Sequence, residues 1–156
     1  TDFPPAFKVN GISGHSTRET SFSLSNRNMV RAAIAILSSD LFWWWYTITT
    51  NCRDLNPSDI QNFPIPELAI IDPRVIYLGE IYLKDLQNNS TMQQRNQIKT
   101  GRTETQSFKI QKSKAIISDI DRTLAEHYHL TEEELDFIIN YDIKYRMGLG
   151  SEEVDE

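Results

Sequence analysis

Cysteine, long apolar runs and basic leader segments are scarce or missing in this sequence of 156 residues. Cys52 is the only cysteine, which excludes an internal disulfide and argues against a cysteine zinc site. No apolar run, including residues 41–46, has more than six members, far fewer than the ~18 that a membrane-spanning helix needs. No basic segment followed by an apolar one opens the chain. We therefore expect no membrane span, no signal peptide and a cytoplasmic location.

The sequence also carries no pattern typical of catalysis, cofactor binding or metal binding. Residues 11–14 (GISG) match neither a dinucleotide-binding nor a phosphate-binding loop, and no Gly-x-Ser-x-Gly elbow is present. His127 and His129 are two positions apart, so a helix would point them to different sides. The acidic run at residues 132–134 suits the first turn of a helix. We expect no catalytic residue, no cofactor site and no metal ligand in this chain.

Composition indicates a single folded domain. Apolar residues make up 39% of the chain and charged residues 24%, which is the balance of a globular protein. A chain of this length suits one compact domain better than two. We predict one domain over residues 1–148 and an acidic, disordered tail over residues 149–156. The expected fold class is α+β, mainly helical, with a small antiparallel β element near the N-terminus.

Three segments alternate apolar and polar residues, as half-exposed strands do. Two of them, residues 7–10 and 21–25, flank a polar stretch rich in turn formers, which predicts a hairpin with a long loop. The third, residues 106–110, predicts a later strand.

Most of the remaining chain shows helical periodicity. Side chains that can cap a helix precede four of the segments: Asn26, Asp40, Asn56 and Thr131. The last of these is reinforced by Glu134, which completes a capping box. Apolar residues spaced by three or four predict a long helix over residues 73–96, ended by Gly101, and another over residues 112–127.

An aromatic cluster, residues 43–46 (WWWY), would point in all directions from a helix, so most of it must be buried in the core. One exposed ring that stacks on a nucleic-acid base is the alternative. Residues 63–66 (FPIP) predict an extended structural exit from a short helix. Their prolines block regular hydrogen bonding, and Phe63 can pack on the core.

Charge is distributed unevenly along the chain. Residues 1–111 contain 11 basic and 10 acidic side chains, whereas residues 112–156 contain 5 and 12. Within residues 91–114 there are six basic side chains against the single acid Glu104: Arg95, Lys99, Arg102, Lys109, Lys112 and Lys114. This basic tract is either a solvated face or a phosphate-binding one, and composition alone leaves both open.

Two sets of sequence blocks resemble a known family. The first is SSDLFWWWY at residues 38–46, NCRDLNPSDI at 51–60 and NFPIP at 62–66. The second is SFKIQKSK at 107–114, IDRTLAEHY at 120–128 and EELDFIINYDIKYR at 133–146. In order and spacing they resemble the C-terminal target-recognition domain, of the TaqI-like specificity class, of adenine-N6 DNA methyltransferases in type II restriction-modification systems.

The resemblance implies a role in binding duplex DNA. The family's recognition domain faces a catalytic domain across the DNA, and that catalytic domain flips the target adenine out of the helix. On this basis Lys109, Lys112 and Lys114 are expected to contact phosphates, with Arg53 as a further candidate. The two expected base-reading residues are Arg18 and Arg102, because a guanidinium group can donate two hydrogen bonds to guanine.

The chain departs from the family by lacking its methyl-transfer motifs. Neither the Asn/Asp-Pro-Pro-Tyr/Phe motif nor the Phe-x-Gly-x-Gly cofactor loop occurs. Methyl transfer, the S-adenosylmethionine site and any fused nuclease would then belong to an upstream part of the same polypeptide. The alternative hypothesis is a helical protein-docking domain that makes no contact with DNA.

Overall fold

The computed structural model describes residues 6–14, 23–97 and 101–141. It contains four strands, seven α-helices and one 3-10 helix within those ranges. The strands are β1 (Phe7–Val9), β2 (Ile12–Ser13), β3 (Ser90–Gln97) and β4 (Gly101–Phe108). The helices are α1 (Arg27–Ser38), α2 (Asp40–Thr49), α3 (Pro57–Gln61), α4 (Glu67–Ile71), α5 (Pro73–Asn88), the 3-10 helix Ile110–Ser113, α6 (Lys114–Tyr128) and α7 (Glu132–Asn140).

The hydrophobic core lies entirely among the helices. Small residues on α1, Ala32 and Ala35, are fully buried and let α5 approach closely. At the crossing point α5 carries Gly79, where an added Cβ would overlap the backbone carbonyl of Arg31. Apolar stripes of α6 complete the core with Ile117, Ile120 and Leu124, which are all fully buried. The expectation of a mainly helical α+β fold is confirmed.

Two of the predicted helix starts are confirmed by their hydrogen bonds. The Met29 amide donates to the Asn26 side chain over 2.9 Å at the start of α1. At α7 the Glu134 amide donates to the Thr131 hydroxyl over 3.2 Å, and the Thr131 amide donates to the Glu134 carboxylate. Both arrangements satisfy amides that the first helical turn would otherwise leave without a partner.

The predicted cap of α2 is wrong by one residue. Ser39, not Asp40, accepts the hydrogen bond from the Phe42 amide, over 3.0 Å. Asp40 is the first residue of the helix, and its carboxylate pairs instead with Lys114. A serine and an aspartate in succession are both good caps, and the tertiary partner of the aspartate decides between them.

Phe63 of the FPIP segment packs on the core, as predicted, and meets the aromatic cluster there. In that cluster Tyr46 is buried, whereas the three tryptophans are only half-buried against the core. The buried Phe63 ring meets Phe42 edge-on at 5.1 Å and Trp45 at 5.2 Å between centroids. The Tyr128 hydroxyl donates to the Pro64 carbonyl over 2.8 Å, and burial raises the pKa of this phenol. The exit from α3 is therefore held to α2 and α6 by ring contacts and one hydrogen bond.

The sheet differs most from the predictions. Its strand order is β2-β1-β4-β3, with every neighbouring pair antiparallel. The partner of β1 in the N-terminal hairpin is Ile12–Ser13, so the predicted long-loop pairing with residues 21–25 is wrong: Ser23 to Ser25 form no strand, and residues 21–22 lie outside the described ranges. Asn10 and Gly11, both with positive φ, form the tight turn instead.

The predicted helix over residues 73–96 is also wrong at its end. Helix α5 ends at Asn88, and the following amide-rich segment becomes β3, paired with β4 along its whole length. The predicted strand at 106–110 begins earlier, at Gly101, which starts β4 with a φ of 77°. Helix α6 begins at Lys114, after a 3-10 turn, rather than at Lys112.

No helix in the described ranges is both long enough and apolar enough to span a membrane. The predicted acidic tail, residues 149–156, lies outside the described part of the chain.

Candidate nucleic-acid interface

The four-stranded sheet carries no core of its own. None of its described side chains is buried, and residues 91–96 of β3 are all exposed. Most of the residues in β3 and β4 are hydroxyl- or amide-bearing. Such a sheet gains little from hydrophobic burial, and the exposed side chains of β3 are available to a partner.

The register divides these side chains between two faces, because residues directly opposite each other in paired strands lie on the same face. Arg95 pairs with Thr103 and Gln93 with Thr105, and the same rows continue to Val9 and Phe7 on β1. We call this surface the Arg95 face. The opposite surface, the Arg102 face, contains Lys8, Gln94, Asn96, Arg102 and Glu104.

Arg102, an expected base-reading residue, has an acidic neighbour. Its guanidinium Nη2 lies 2.8 Å from Glu104 Oε1, two residues along the same strand. Lys8 is directly opposite Glu104 in the register of β1 and β4. The carboxylate therefore offsets one of the two positive charges on the Arg102 face.

Lys109 and Lys112 lie together at the end of β4 that is nearer the helices. Both side chains are exposed, and a backbone hydrogen bond of 3.0 Å from the Lys112 amide to the Lys109 carbonyl closes the turn between them. Six residues of extended strand separate Phe108 from Arg102, a span of about 20 Å. One β-strand thus links two exposed lysines to an arginine near the far end of the sheet.

Lys114 is occupied by a different contact. Its Nζ lies 2.6 Å from Asp40 Oδ2, and the side chains are 24% and 5% exposed. This ion pair joins the first residue of α6 to the first residue of α2. Since removing one partner would leave a charge buried, Lys114 has a structural role here, whatever else it contacts.

The other two expected contact residues lie apart from this strand. Arg53 is exposed in the loop after α2, where its amide donates to the Asn51 side chain over 3.1 Å. Arg18 lies outside the described residues. The structure therefore brings together only Lys109 and Lys112 among the described candidates, with Arg102 at the other end of the same strand.

A buried polar cluster behind the lysines was missed from the sequence. Asp121 Oδ1 accepts a hydrogen bond of 3.1 Å from the Leu41 amide, and Asp121 is 1% exposed. Burial, and then the charge of the adjacent Asp40, raise the pKa of Asp121 well above its usual value. The signal in the sequence was a carboxylate beside Ile120 in the apolar stripe of α6.

This cluster fixes where the lysine-bearing turn sits. Besides the Lys114–Asp40 pair, the Ser113 hydroxyl donates to Asp85 Oδ2 over 2.5 Å. The turn is thereby fastened to α2 and α5 just before α6 begins. The buried groups themselves cannot contact a substrate, so we assign them to holding the lysine-bearing turn in place rather than to catalysis.

No protein-family model, curated protein or solved structure matches this chain. Within the ranges that the structure describes, no three histidine, cysteine or carboxylate side chains converge on a possible metal position. The described sheet is antiparallel throughout.

Proposed function

We propose that this chain is a sequence-specific DNA recognition module of an adenine-N6 DNA methyltransferase from a restriction-modification system, acting in the cytoplasm. The observation that carries the proposal is the coreless polar sheet, whose strand β4 leads directly to the exposed Lys109 and Lys112. The ordered sequence blocks at residues 38–66 and 107–146 support the same family. Methyl transfer and S-adenosylmethionine belong, in this proposal, to an upstream domain of the same polypeptide.

The two lysines would position the duplex, and the sheet would select its sequence. Ammonium groups near phosphates release bound counterions, which favours binding to any DNA sequence. Hydroxyl, amide and guanidinium side chains on strands can hydrogen-bond to base edges in the major groove, which admits a β-ribbon. A duplex held in this way is presented to the upstream domain, which flips the adenine.

A docking domain without DNA contact is the second candidate, and exposed apolar side chains on the helices favour it. Leu68 and Ile71 on α4 and Tyr77 on α5 are 67%, 66% and 63% exposed. Exposed apolar groups of this size suit a protein partner. In our proposal the same helices are available to contact the upstream domain.

The test is a set of binding isotherms of the 156-residue chain on a fluorescent duplex at several salt concentrations. We expect affinity to fall steeply with salt. A Lys109→Ala/Lys112→Ala variant should lower the slope of log K against log salt by about 0.9 for each lost phosphate contact. Binding should weaken about equally on every sequence.

Lys84→Ala is the matched control. Lys84 is exposed on α5 and pairs with Glu80 over 2.8 Å, so its loss removes a surface lysine that belongs neither to the sheet nor to the lysine turn. We expect the control to keep the wild-type salt slope. Absence of salt-dependent binding by the wild-type chain, or an unchanged slope in the double variant, would reject the DNA proposal in favour of docking.

A further inference from the structure

The two faces of the sheet each carry one net positive charge, but only the Arg102 face contains an acidic side chain. Every sheet position on the Arg95 face is apolar, hydroxyl-bearing, amide-bearing, glycine or arginine, and none is acidic. By register these positions include Phe7, Val9, Ile12, Thr91, Gln93, Arg95, Thr103, Thr105 and Ser107. On the Arg102 face, Glu104 lies between Lys8 and Gln94 in its row.

This difference decides which face suits DNA. A carboxylate on a groove-facing surface meets the negative potential of the phosphates, and Glu104 already occupies a guanidinium donor of Arg102. Among the described residues, no acidic side chain pairs with Arg95, and all its neighbours on β3 are exposed. The Arg95 face is thus the one that presents a guanidinium group to a groove without a neighbouring carboxylate.

Spacing along β3 also matches the duplex. Gln93 and Arg95 are two residues apart on one face, a distance of about 7 Å along an antiparallel strand. Successive bases on a DNA strand are separated by about 3.4 Å. The two side chains therefore stand over bases about two steps apart when the strand follows the groove.

We propose that the Arg95 face of the sheet enters the major groove of duplex DNA, where Arg95 binds a guanine and Gln93 binds an adenine about two steps away. This rests on the proposed function, and it assigns base recognition to a different face from the one that carries Arg102. Arginine pairs with the O6 and N7 atoms of guanine, and glutamine with the N6 and N7 atoms of adenine. The apolar Val9 and Phe7 on the same face can contact thymine methyl groups.

The experiment starts with the wild-type chain and a pool of random duplexes, from which bound DNA is selected and sequenced. In the selected duplex each guanine is replaced in turn by 7-deazaguanine, which lacks the N7 acceptor in the major groove. Replacement of guanine by inosine, which changes only the minor groove, is the matched DNA control. We expect one 7-deazaguanine position to weaken wild-type binding about 5- to 150-fold, and inosine there to have little effect.

The protein variants are Arg95→Ala, Arg95→Lys and Arg102→Ala, the last a matched arginine on the other face. Arg95→Ala should bind the guanine and 7-deazaguanine duplexes equally. Arg95→Lys keeps the charge, so it should retain the salt slope while losing most of the discrimination. Arg102→Ala should discriminate as the wild type does, and circular dichroism of each variant checks that the fold is retained.

Three results would overturn the inference while leaving the proposed function standing. In one, Arg102→Ala rather than Arg95→Ala removes the discrimination, so that the other face is in the groove. In another, the wild-type chain binds DNA but selects no sequence. In the last, Arg95→Ala only increases self-association of the chain. That result is expected if the charge of Arg95 prevents the exposed edge strand β3 from pairing with the same strand of another copy. A wild-type chain that binds no duplex would reject both proposals.

Discussion

Asp121 is a buried carboxyl group next to the apolar stripe of α6. Its neighbours in the stripe, Ile117, Ile120 and Leu124, are fully buried. The Asp121 carboxyl group is almost completely shielded from water. Its Oδ1 accepts a hydrogen bond from the Leu41 amide at the start of α2. Since a buried carboxylate next to Asp40 favours its protonated form, the proton on Asp121 is part of the folded state.

This predicts a pH dependence of stability. Because the folded-state pKa of Asp121 is raised, its contribution is fully present below about pH 4, its unfolded pKa. That contribution is lost as pH rises through the folded-state pKa. Asp121→Asn keeps an acceptor for Leu41 and gains a donor towards Asp40. Relative to wild type, the variant should gain roughly 1–3 kcal/mol of unfolding free energy between pH 4 and pH 9.

Urea denaturation at several pH values measures this difference. Asp119→Asn is the control, since Asp119 is exposed on the same helix and pairs with Arg122 over 2.8 Å. The control should show no comparable gain with rising pH. A constant difference between the Asp121→Asn variant and wild type across the pH range would contradict the prediction.

The residue-scale features that sequence predicted are those that depend on near neighbours. Caps such as Asn26 and Thr131 bond to amides three positions away, so the local pattern is sufficient. The pairing of Lys114 with Asp40 spans 74 positions. No local pattern distinguishes Lys114 from the exposed Lys112, so the sequence alone could not show that one lysine is paired and the other exposed.

At the scale of elements, the crossing of α1 and α5 depends on one missing side chain. Gly79 is buried, and a methyl group there would overlap the Arg31 carbonyl, which belongs to a helix backbone and cannot swing away. A glycine inside a helix is less favourable to helix formation than alanine. At this crossing the cost is offset by the close approach of two helices that together form much of the core.

Gly79→Ala should therefore destabilise the protein by about 1–3 kcal/mol, as overpacked cores do. Helix propensity alone would favour alanine by about 1 kcal/mol, so the sign of the change separates the two effects. The measurement is the midpoint of urea unfolding at constant m value. Gly14→Ala is the control, because the added Cβ would meet only the Phe7 ring, at 3.9 Å. If Gly79→Ala were as stable as wild type, the two helices would be able to move apart, and the prediction would be wrong.

Helices were predictable from sequence and strands largely were not, for the same physical reason. Helical hydrogen bonds are local, so the apolar period of α5 and α6 is visible in the chain itself. The segment Ser90–Gln97 has amide-rich, weakly patterned residues, and its pairing with β4 makes it a strand. The Asn10–Gly11 turn is the sequence signal for the short hairpin, whereas the alternation at residues 21–25 misleads, since Ser23 to Ser25 form no strand.

At the scale of the whole molecule, charge is segregated along the sequence. The net charge of −6 arises from residues 112–156, while the part that precedes them is nearly neutral. Residues 149–156 alone include four carboxylates, Glu152, Glu153, Asp155 and Glu156. A duplex that approaches the sheet is therefore opposed by a long-range field whose strength depends on salt.

Removing residues 149–156 changes the formal charge from −6 to −2 and should strengthen DNA binding by about several-fold at 10 mM salt. The gain should nearly vanish at 200 mM salt, where the screening length falls below about 10 Å. A full-length variant with the four carboxylates changed to amides is the control for length. If that variant bound DNA as wild type does, the effect of the deletion would not be one of charge.

The pairing of β1 with β4 joins residues far apart in the chain, since Phe7 lies opposite Thr105. Closing so long a loop in an unfolded chain has a large entropic cost, and the polar strands offer little burial to offset it. The helices between them bring the ends together, whereas the β1–β2 and β3–β4 hairpins each close only a short loop. We therefore expect the β1–β4 junction to be the weakest pairing of the sheet, and a ligand that contacts both strands to hold it closed.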